Sequence, residues 1–407
     1  MTVTRAGRSH GDEAALLKLA AGGDERAFSE LVEAHRAELR AHCYRMLGSV
    51  HDAEDALQDA LLRAWRGLPG FQGRSSVRSW LYSIATNTAL DIARHRSRRE
   101  LPVSFGPAAQ PGDLVGDPLA DSAWLEPYPD RWLTGDGAGT SPEARYEQRE
   151  SVELAFVIAL QHLPPRQRAV LILREVMGFS TAEISRQLGA SKPSVNSALQ
   201  RARAAAQSRL PAHSQQSVLH ALGDQRTREI VQRYSDAIER GDADTLISML
   251  TEDATWCMPP TPTWFRGLAS IREWLVRDPL SERWRRLPAR ANGQLAVAGY
   301  LFDAGKGRYL PTVIDVLTLD GDKIAAVTAF LTYENQDRPG AVSDVDLFAR
   351  FGLPAEPPRH ASCRAVAAGW VPLTISDPAS LAMPQIAAAQ AASSRTIWPG
   401  WLLSRSW

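Results

Sequence analysis

The chain has 407 residues, too many for a single ordinary core, and implies two to four domains. An apolar content of 44% excludes a wholly disordered protein, while a formal net charge of zero looks unpromising for a protein that binds polyanions. That average hides a segregation: residues 91–100 and 192–209 are basic, whereas residues 113–136 hold many carboxylates with Arg131 as their only cation. A phosphate backbone responds to local charge, so the global zero says little against nucleic acid.

Cys43, Cys257 and Cys363 lie far apart without CxxC spacing, which fits a reducing compartment and argues against a disulfide scaffold or a cysteine zinc site. His42-Cys43 lacks a matching second pair, so helix packing is its expected role, and no metal or cofactor is called for. The sequence shows no signal-like apolar stretch at its start and no apolar run of membrane length, so a soluble, cytoplasmic protein without membrane contact is expected.

Residues 13–100 read as a helical bundle. Phe28, Leu31, Val32, Leu39, Cys43 and Met46 recur at three- and four-residue spacing, and a second stripe runs from Ala53 to Leu68. After Gly70-Phe71-Gln72-Gly73 a third helix covers about 76–97, with Trp80, Leu81, Ile84, Thr88 and Ile92 inward. Residues 101–142 lose periodicity, fill with Pro, Gly and Asp, and read as an acidic flexible linker. Helices resume over 143–210. Ser180 and Glu183 form a capping-box pattern, Gly189 suits a turn, and Ser191 can cap a helix whose first turn holds Pro193; Val195, Ala198, Leu199 and Ala202 pack inward. That is the spacing of a helix-turn-helix.

A second linker, 211–224, precedes an α+β domain at 225–335: two helices, then strand-like runs that end in a hairpin at Asp320-Gly321. These strands are expected to form an antiparallel meander. Residues 355–407 are rich in Pro, Ala and Ser and suggest a disordered tail.

Two surfaces carry chemistry. Lys192, Ser194, Ser197, Gln200, Arg201 and Arg203 lie on the outward face of the second helix of the helix-turn-helix, with no acid between Ser191 and Leu210. Cations attract phosphate, and Ser, Gln and Arg can read base edges in a major groove; a solvated basic face is the blander alternative. On the third helix of the first domain, Arg78, Tyr82, Asn87, Asp91, Arg94, His95, Arg98 and Arg99 fall outside the apolar stripe, a set able to stack on unpaired bases while neutralising phosphates. Taken alone, these residues equally suit a surface basic helix.

The segments DAEDALQDALLRAWRGLPGF, SSVRSWLYSIATNTALDIARHRSRR and LPPRQRAVLILREVMGFSTAEISRQLGASKPSVNSALQRARA resemble regions 2 and 4 of the extracytoplasmic-function sigma factors of the sigma-70 family. The resemblance implies that Asp52, Glu54, Asp55, Gln58, Asp59 and Arg63 face the β′ clamp helices of core RNA polymerase and that region 4 meets the β flap. It implies a −10 contact by Arg78, Tyr82, Asn87, Asp91, Arg94 and Arg98, and a −35 contact by Lys192, Ser194, Ser197, Gln200, Arg201 and Arg203 on promoter DNA. It further implies that the acidic linker threads the polymerase cleft.

YSDAIERGDADTLISMLTEDATWCMPPTPTWFRG and AAVTAFLT resemble the SnoaL-like branch of the nuclear-transport-factor-like fold, a cone that holds a small-molecule ligand or a catalytic site in relatives. Trp256, Met258, Trp264, Phe265, Trp274, Tyr300 and Phe330 are its candidate lining. Asp253 and Asp315 are the carboxylates a catalytic cone would use, and neither has an identifiable partner in the sequence. The expected protein is therefore an alternative sigma factor, not an enzyme, with two all-α domains followed by an α+β domain that regulates it in cis. The rivals are a stand-alone helix-turn-helix regulator and a bifunctional protein with a catalytic cone.

Overall fold

A computed structural model describes residues 10–119, 124–133, 142–332 and 344–358. The first domain is built from α1 (His10–Ala21), α2 (Glu25–Leu47), α3 (Val50–Gly67) and α4 (Val77–His95). Each start is written locally: the side chains of Asp24, Ser49 and Ser76 accept from backbone N–H groups in the first turns of α2, α3 and α4. Ala53, Ala56, Ala60 and Ala64 keep one face of α3 small, so that it packs closely on α2 and α4 around Cys43, Met46, Leu81 and Ala85. Gly48 ends α2 at φ 68°, and a Cβ there would stand 3.0 Å from the Leu125 side chain and 3.1 Å from that of Gln161. Chain from outside the domain therefore presses on this turn.

That chain is the linker, which is pinned to the domains at several points although Leu114 and Phe105 remain exposed. Ala109 N donates to Trp264 O at 2.8 Å and Gly116 N to Thr263 Oγ1 at 2.8 Å. Leu125, Tyr128 and Leu133 are buried. Trp124 and Tyr128 supply the apolar anchors that composition alone disguises.

The second helical domain comprises α5 (Pro142–Glu150), α6 (Leu154–Gln161), α7 (Pro165–Leu171, continued as a π-helical turn Ile172–Val176), α8 (Thr181–Leu188) and α9 (Lys192–Gln207). The expected capping box of Ser180 and Glu183 is present, and Gly189 takes φ 59° in the turn between α8 and α9.

The third domain begins earlier than expected. α10 (Gln215–Glu239) is kinked at Gly223 (φ 73°, ψ 167°), and its first segment buries Gln215, Gln216 and Leu219. Residues 215–222 are thus a docked helix, not a flexible tether. α11 (Ala243–Ser248), β1 (Leu250–Cys257), β2 (Trp264–Arg266), α12 (Leu268–Arg277), β3 (Trp284–Ala291), β4 (Gln294–Asp303), β5 (Arg308–Asp320) and β6 (Lys323–Leu331) follow, and α13 (Asp344–Arg350) closes the described chain. The sheet order is β2-β1-β6-β5-β4-β3. β4 to β6 form the expected antiparallel meander with its turn at Gly321, and β3, not expected, extends it; β1 pairs with β6 in parallel, so the sheet is mixed.

Both faces of this sheet are covered. Val297, Val313, Leu317 and Trp256 pack under α10 and α12 on the inner face. Ala296, Ala298, Tyr300, Ile314, Val316 and Phe330 on the outer face join the same apolar cluster as the two helical domains.

Candidate polymerase and nucleic-acid interfaces

On α3 the side chains of Asp55, Gln58, Asp59 and Arg63 are exposed, as a partner-facing helix requires. Asp52 departs from the expectation. It is buried, with its carboxylate 2.5 Å from Arg99 Nη2 and 3.3 Å from Arg96 Nη2, so it is an internal ion-pair residue. Glu54 is half-buried and lies 3.5 Å from Arg350 of α13. Arg63 reaches across to Asp91 on α4 at 3.2 Å. The linker holds the start of α3: Glu126 accepts from Val50 N (2.9 Å), His51 N (3.1 Å) and Ser49 Oγ (2.8 Å). A carboxylate at this end also complements the helix dipole.

The N-terminal half of the α4 face is partly covered by the second helical domain. Gln187 on α8 donates from Nε2 to Ser79 Oγ (3.0 Å), and its main-chain carbonyl accepts from Asn87 Nδ2 (3.3 Å) and Ser83 Oγ (3.4 Å). Tyr82 is fully buried, donates to Glu38 and meets Phe179 edge-on at 5.4 Å. It therefore has no free ring face here, contrary to its expected role on an unpaired base. Arg78 is half-buried, 3.3 Å from Glu38 and stacked over Tyr82 and Phe179. Asp91 is engaged by Arg63 and Arg94, and Arg98 by Glu100, although Arg94 and Arg98 remain exposed.

The α9 face is open. Lys192, Ser194, Ser197, Gln200 and Arg201 are exposed on one side, while Val195, Leu199 and Ala202 are buried on the other. Arg203 alone is tied back, by an ion pair to Glu175 at 2.5 Å. The α9 face is thus open, while the α4 face is only partly covered: Tyr82 is buried and Asn87 is bonded to Gln187, yet Asn87, Arg94 and Arg98 stay exposed.

Inside the cone, Trp256, Met258, Phe265 and Trp274 are buried together in one apolar cluster. Phe265 stacks on Trp274 at 5.1 Å, Trp274 meets Trp256 edge-on at 5.5 Å, and Trp256 lies parallel to Tyr234 at 6.2 Å. Three lining candidates lie elsewhere. Trp264 donates from its indole to Gly106 O of the linker at 3.0 Å. Tyr300 and Phe330 belong to the outer face, where Tyr300 packs on Phe348 and donates to Pro354 O at 2.8 Å.

Asp253 is exposed and bonded to Thr251, whereas Asp315 is buried with partners the sequence did not disclose: Arg286 Nη1 at 2.7 Å and Tyr234 Oη at 2.9 Å. Burial pushes the Asp315 carboxyl above its ordinary pKa, against the pull of Arg286 and Tyr234. His42 is a packed core residue; its Nε2 lies 2.9 Å from Thr86 Oγ1 and burial drives its pKa down to about 3.

Asn292, in the β3–β4 turn, joins all three domains and the linker. Its amide donates to Tyr44 Oη and Val152 O and accepts from Tyr128 N, each at 2.8 Å, and it is fully buried at φ 56°. Beside it, Glu153 accepts from Gln215 N and Gln216 N, and Gln294 Oε1 accepts from Leu154 N. Asn-Gly between two strands is a turn signal; nothing local marks it as a junction.

Two helical domains, one acid-faced and one ending in a basic helix-turn-helix, define a sigma-70-class initiation factor. Residues 31–99 match the family Sigma-70 region 2, residues 154–205 match Sigma-70, region 4, and residues 231–327 match the SnoaL-like domain. The chain is 43% identical over 338 residues to the ECF RNA polymerase sigma factor SigG of Mycobacterium tuberculosis (strain ATCC 25618 / H37Rv), spanning 81% of this chain and 85% of that protein. It is 32% identical over 200 residues to SigM of the same organism, across 49% of this chain and 84% of SigM. The crystal structure of M. tuberculosis SigJ superposes with a TM-score of 0.49 at 23% identity, covering 74% of this chain and 96% of SigJ. The chain belongs to the extracytoplasmic-function sigma factors and is an alternative sigma factor with a C-terminal SnoaL-like domain. Among the described residues no helix is long and apolar enough to cross a membrane.

Proposed function

We propose that the arrangement described is a closed state of this sigma factor, held in cis by the SnoaL-like domain. In this reading Asp55, Gln58, Asp59 and Arg63 meet the polymerase clamp helices, with Glu54 joining them once Arg350 withdraws. Lys192, Ser194, Ser197, Gln200 and Arg201 read the −35 element. Asn87, Asp91, Arg94 and Arg98 engage the −10 element once α8 leaves α4, and the linker is then released to enter the polymerase. One observation carries the proposal: Gln187 sits on Ser79, Ser83 and Asn87 while the α9 face stays open. A regulatory rather than catalytic cone is supported by its ring-filled interior, by the outward position of Asp253 and by the commitment of Asp315 to Arg286 and Tyr234.

Gln187→Ala tests the closed state, because it removes the Ser79 contact without touching a proposed DNA or polymerase residue. Permanganate reactivity at the −10 element of a cognate promoter, measured with holoenzyme, should develop faster than in the unchanged protein, with −35 occupancy constant. Equal melting rates, together with unchanged amide exchange along α4, would refute closure.

A further inference from the structure

Arg168 on α7 is only 5% exposed. Its guanidinium donates to the main-chain oxygens of Met46, Gln161 and Leu163 and to Gln161 Oε1, while its Nε is buried without a partner. No carboxylate is paired with it among the described ion pairs. Burial lowers its pKa to about 10, so it stays charged at neutral pH. A buried cation with no counter-charge is a costly arrangement.

Beside this cation lies a cleft of about 320 Å³, within the roughly 300–1,000 Å³ range of small-molecule sites. Arg96 and Arg98, in the turn after α4, line one wall; His162, from the α6–α7 turn, and Arg168 line the other. Asp52, the single carboxylate on the lining, pairs with Arg99 and with Arg96 of the cleft itself, and Arg98 pairs with Glu100, so a bound anion would draw these two arginines from their carboxylates while Arg168 has none among the described ion pairs. Met46, Leu163 and Pro165 give the cleft an apolar side. Guanidinium groups grip phosphate oxygens in pairs, and an apolar wall suits a flat ring.

We propose that this cleft binds a small phosphorylated anion of nucleotide type and that its occupancy ties region 2 to region 4. Because the two walls belong to different domains, the complete site exists only when they are together. A ligand that binds the assembled site better than the separated walls shifts the balance toward assembly. Binding stands on the cleft alone; the effect on promoter opening rests on the closed-state reading above.

The test titrates the full chain calorimetrically with tripolyphosphate and, separately, with adenosine triphosphate. One-site binding is expected, tighter for the nucleotide, and weakened at least tenfold by Arg96→Glu and by His162→Glu, one change on each wall. The double variant Lys192→Ala/Arg201→Ala, on the distant DNA face, should bind as the unchanged protein does. Absence of one-site binding, indifference to both cleft variants, or an equal loss in the DNA-face variant would overturn the site. Equal affinity for the two probes would overturn the nucleotide assignment. If binding behaves as expected but the nucleotide fails to slow amide exchange along α4, the anion site stands and the closed-state reading falls.

Discussion

Asn292→Ala would cut a side chain that bonds to region 2, the linker and region 4 at once. It orphans Tyr128 N–H and Val152 C=O in a buried place, whereas Tyr44 keeps its bond to the Glu126 carbonyl. Each orphaned group costs about 1–3 kcal/mol, and alanine at a positive φ adds roughly 1 kcal/mol. Domain docking should therefore weaken by about 3–7 kcal/mol. Asn292→Gly loses the same hydrogen bonds without the backbone penalty, so it should fall about 1 kcal/mol short of the alanine variant. The assay is amide exchange at Leu154, whose N–H is bonded across the junction to Gln294 Oε1. At roughly tenfold per 1.4 kcal/mol, exchange there should accelerate by on the order of 10²–10⁵ in the alanine variant. Acceleration below about threefold in both variants would show that Asn292 does not hold the domains together.

Three further outcomes follow from the interfaces. Arg201→Ala or Lys192→Ala should weaken use of a −35 element by about 1–3 kcal/mol if a base contact is lost, while promoter melting at saturating holoenzyme is spared; DNase footprinting against permanganate reactivity separates the two. Asp55→Lys with Asp59→Lys should lower affinity for core polymerase in a pull-down while the far-ultraviolet circular dichroism is unchanged, since both side chains are exposed; retained core binding would move the interface off this face. Glu153 is held near pKa 8 instead of 4.5, because burial outweighs its bonds from Gln215 and Gln216. The docked junction thus binds an extra proton, and the resulting stability is complete below about pH 4.5 and lost as pH rises toward 8. Glu153→Gln should flatten that pH dependence of thermal stability, and an unchanged slope would remove Glu153 as its source.

The helix-turn-helix was readable from residues because its information is local. Ser180, Glu183, Gly189, Ser191 and Pro193 each act on a neighbouring backbone group, and no distant partner is needed to interpret them. Asp52 was misread for the opposite reason: it neighbours partner-facing residues in sequence, but Arg96 and Arg99, more than forty positions away, decide its burial. Tyr300 and Phe330 could not be told from Trp256, since a sheet covered on both faces loses the polar alternation that marks inside from outside. β3 escaped notice because WRRLPARA carries three arginines and a proline, which an edge strand tolerates. Of the expected tail, 355–407, only residues 355–358 are described, with Glu356 paired to Arg308 at 2.8 Å; residues 359–407 lie outside the described chain.

Glu126 gives the linker a second consequence. Its carboxylate closes the first turn of α3, the helix that carries the acidic partner face, so drawing the linker away toward any other channel also uncaps that helix. A lost cap of this kind is worth about 1 kcal/mol, and it leaves backbone N–H groups pointing outward, ready for another acceptor. Linker departure and a change in the end of α3, the helix proposed to face the polymerase, are then one event, coupled through a single side chain.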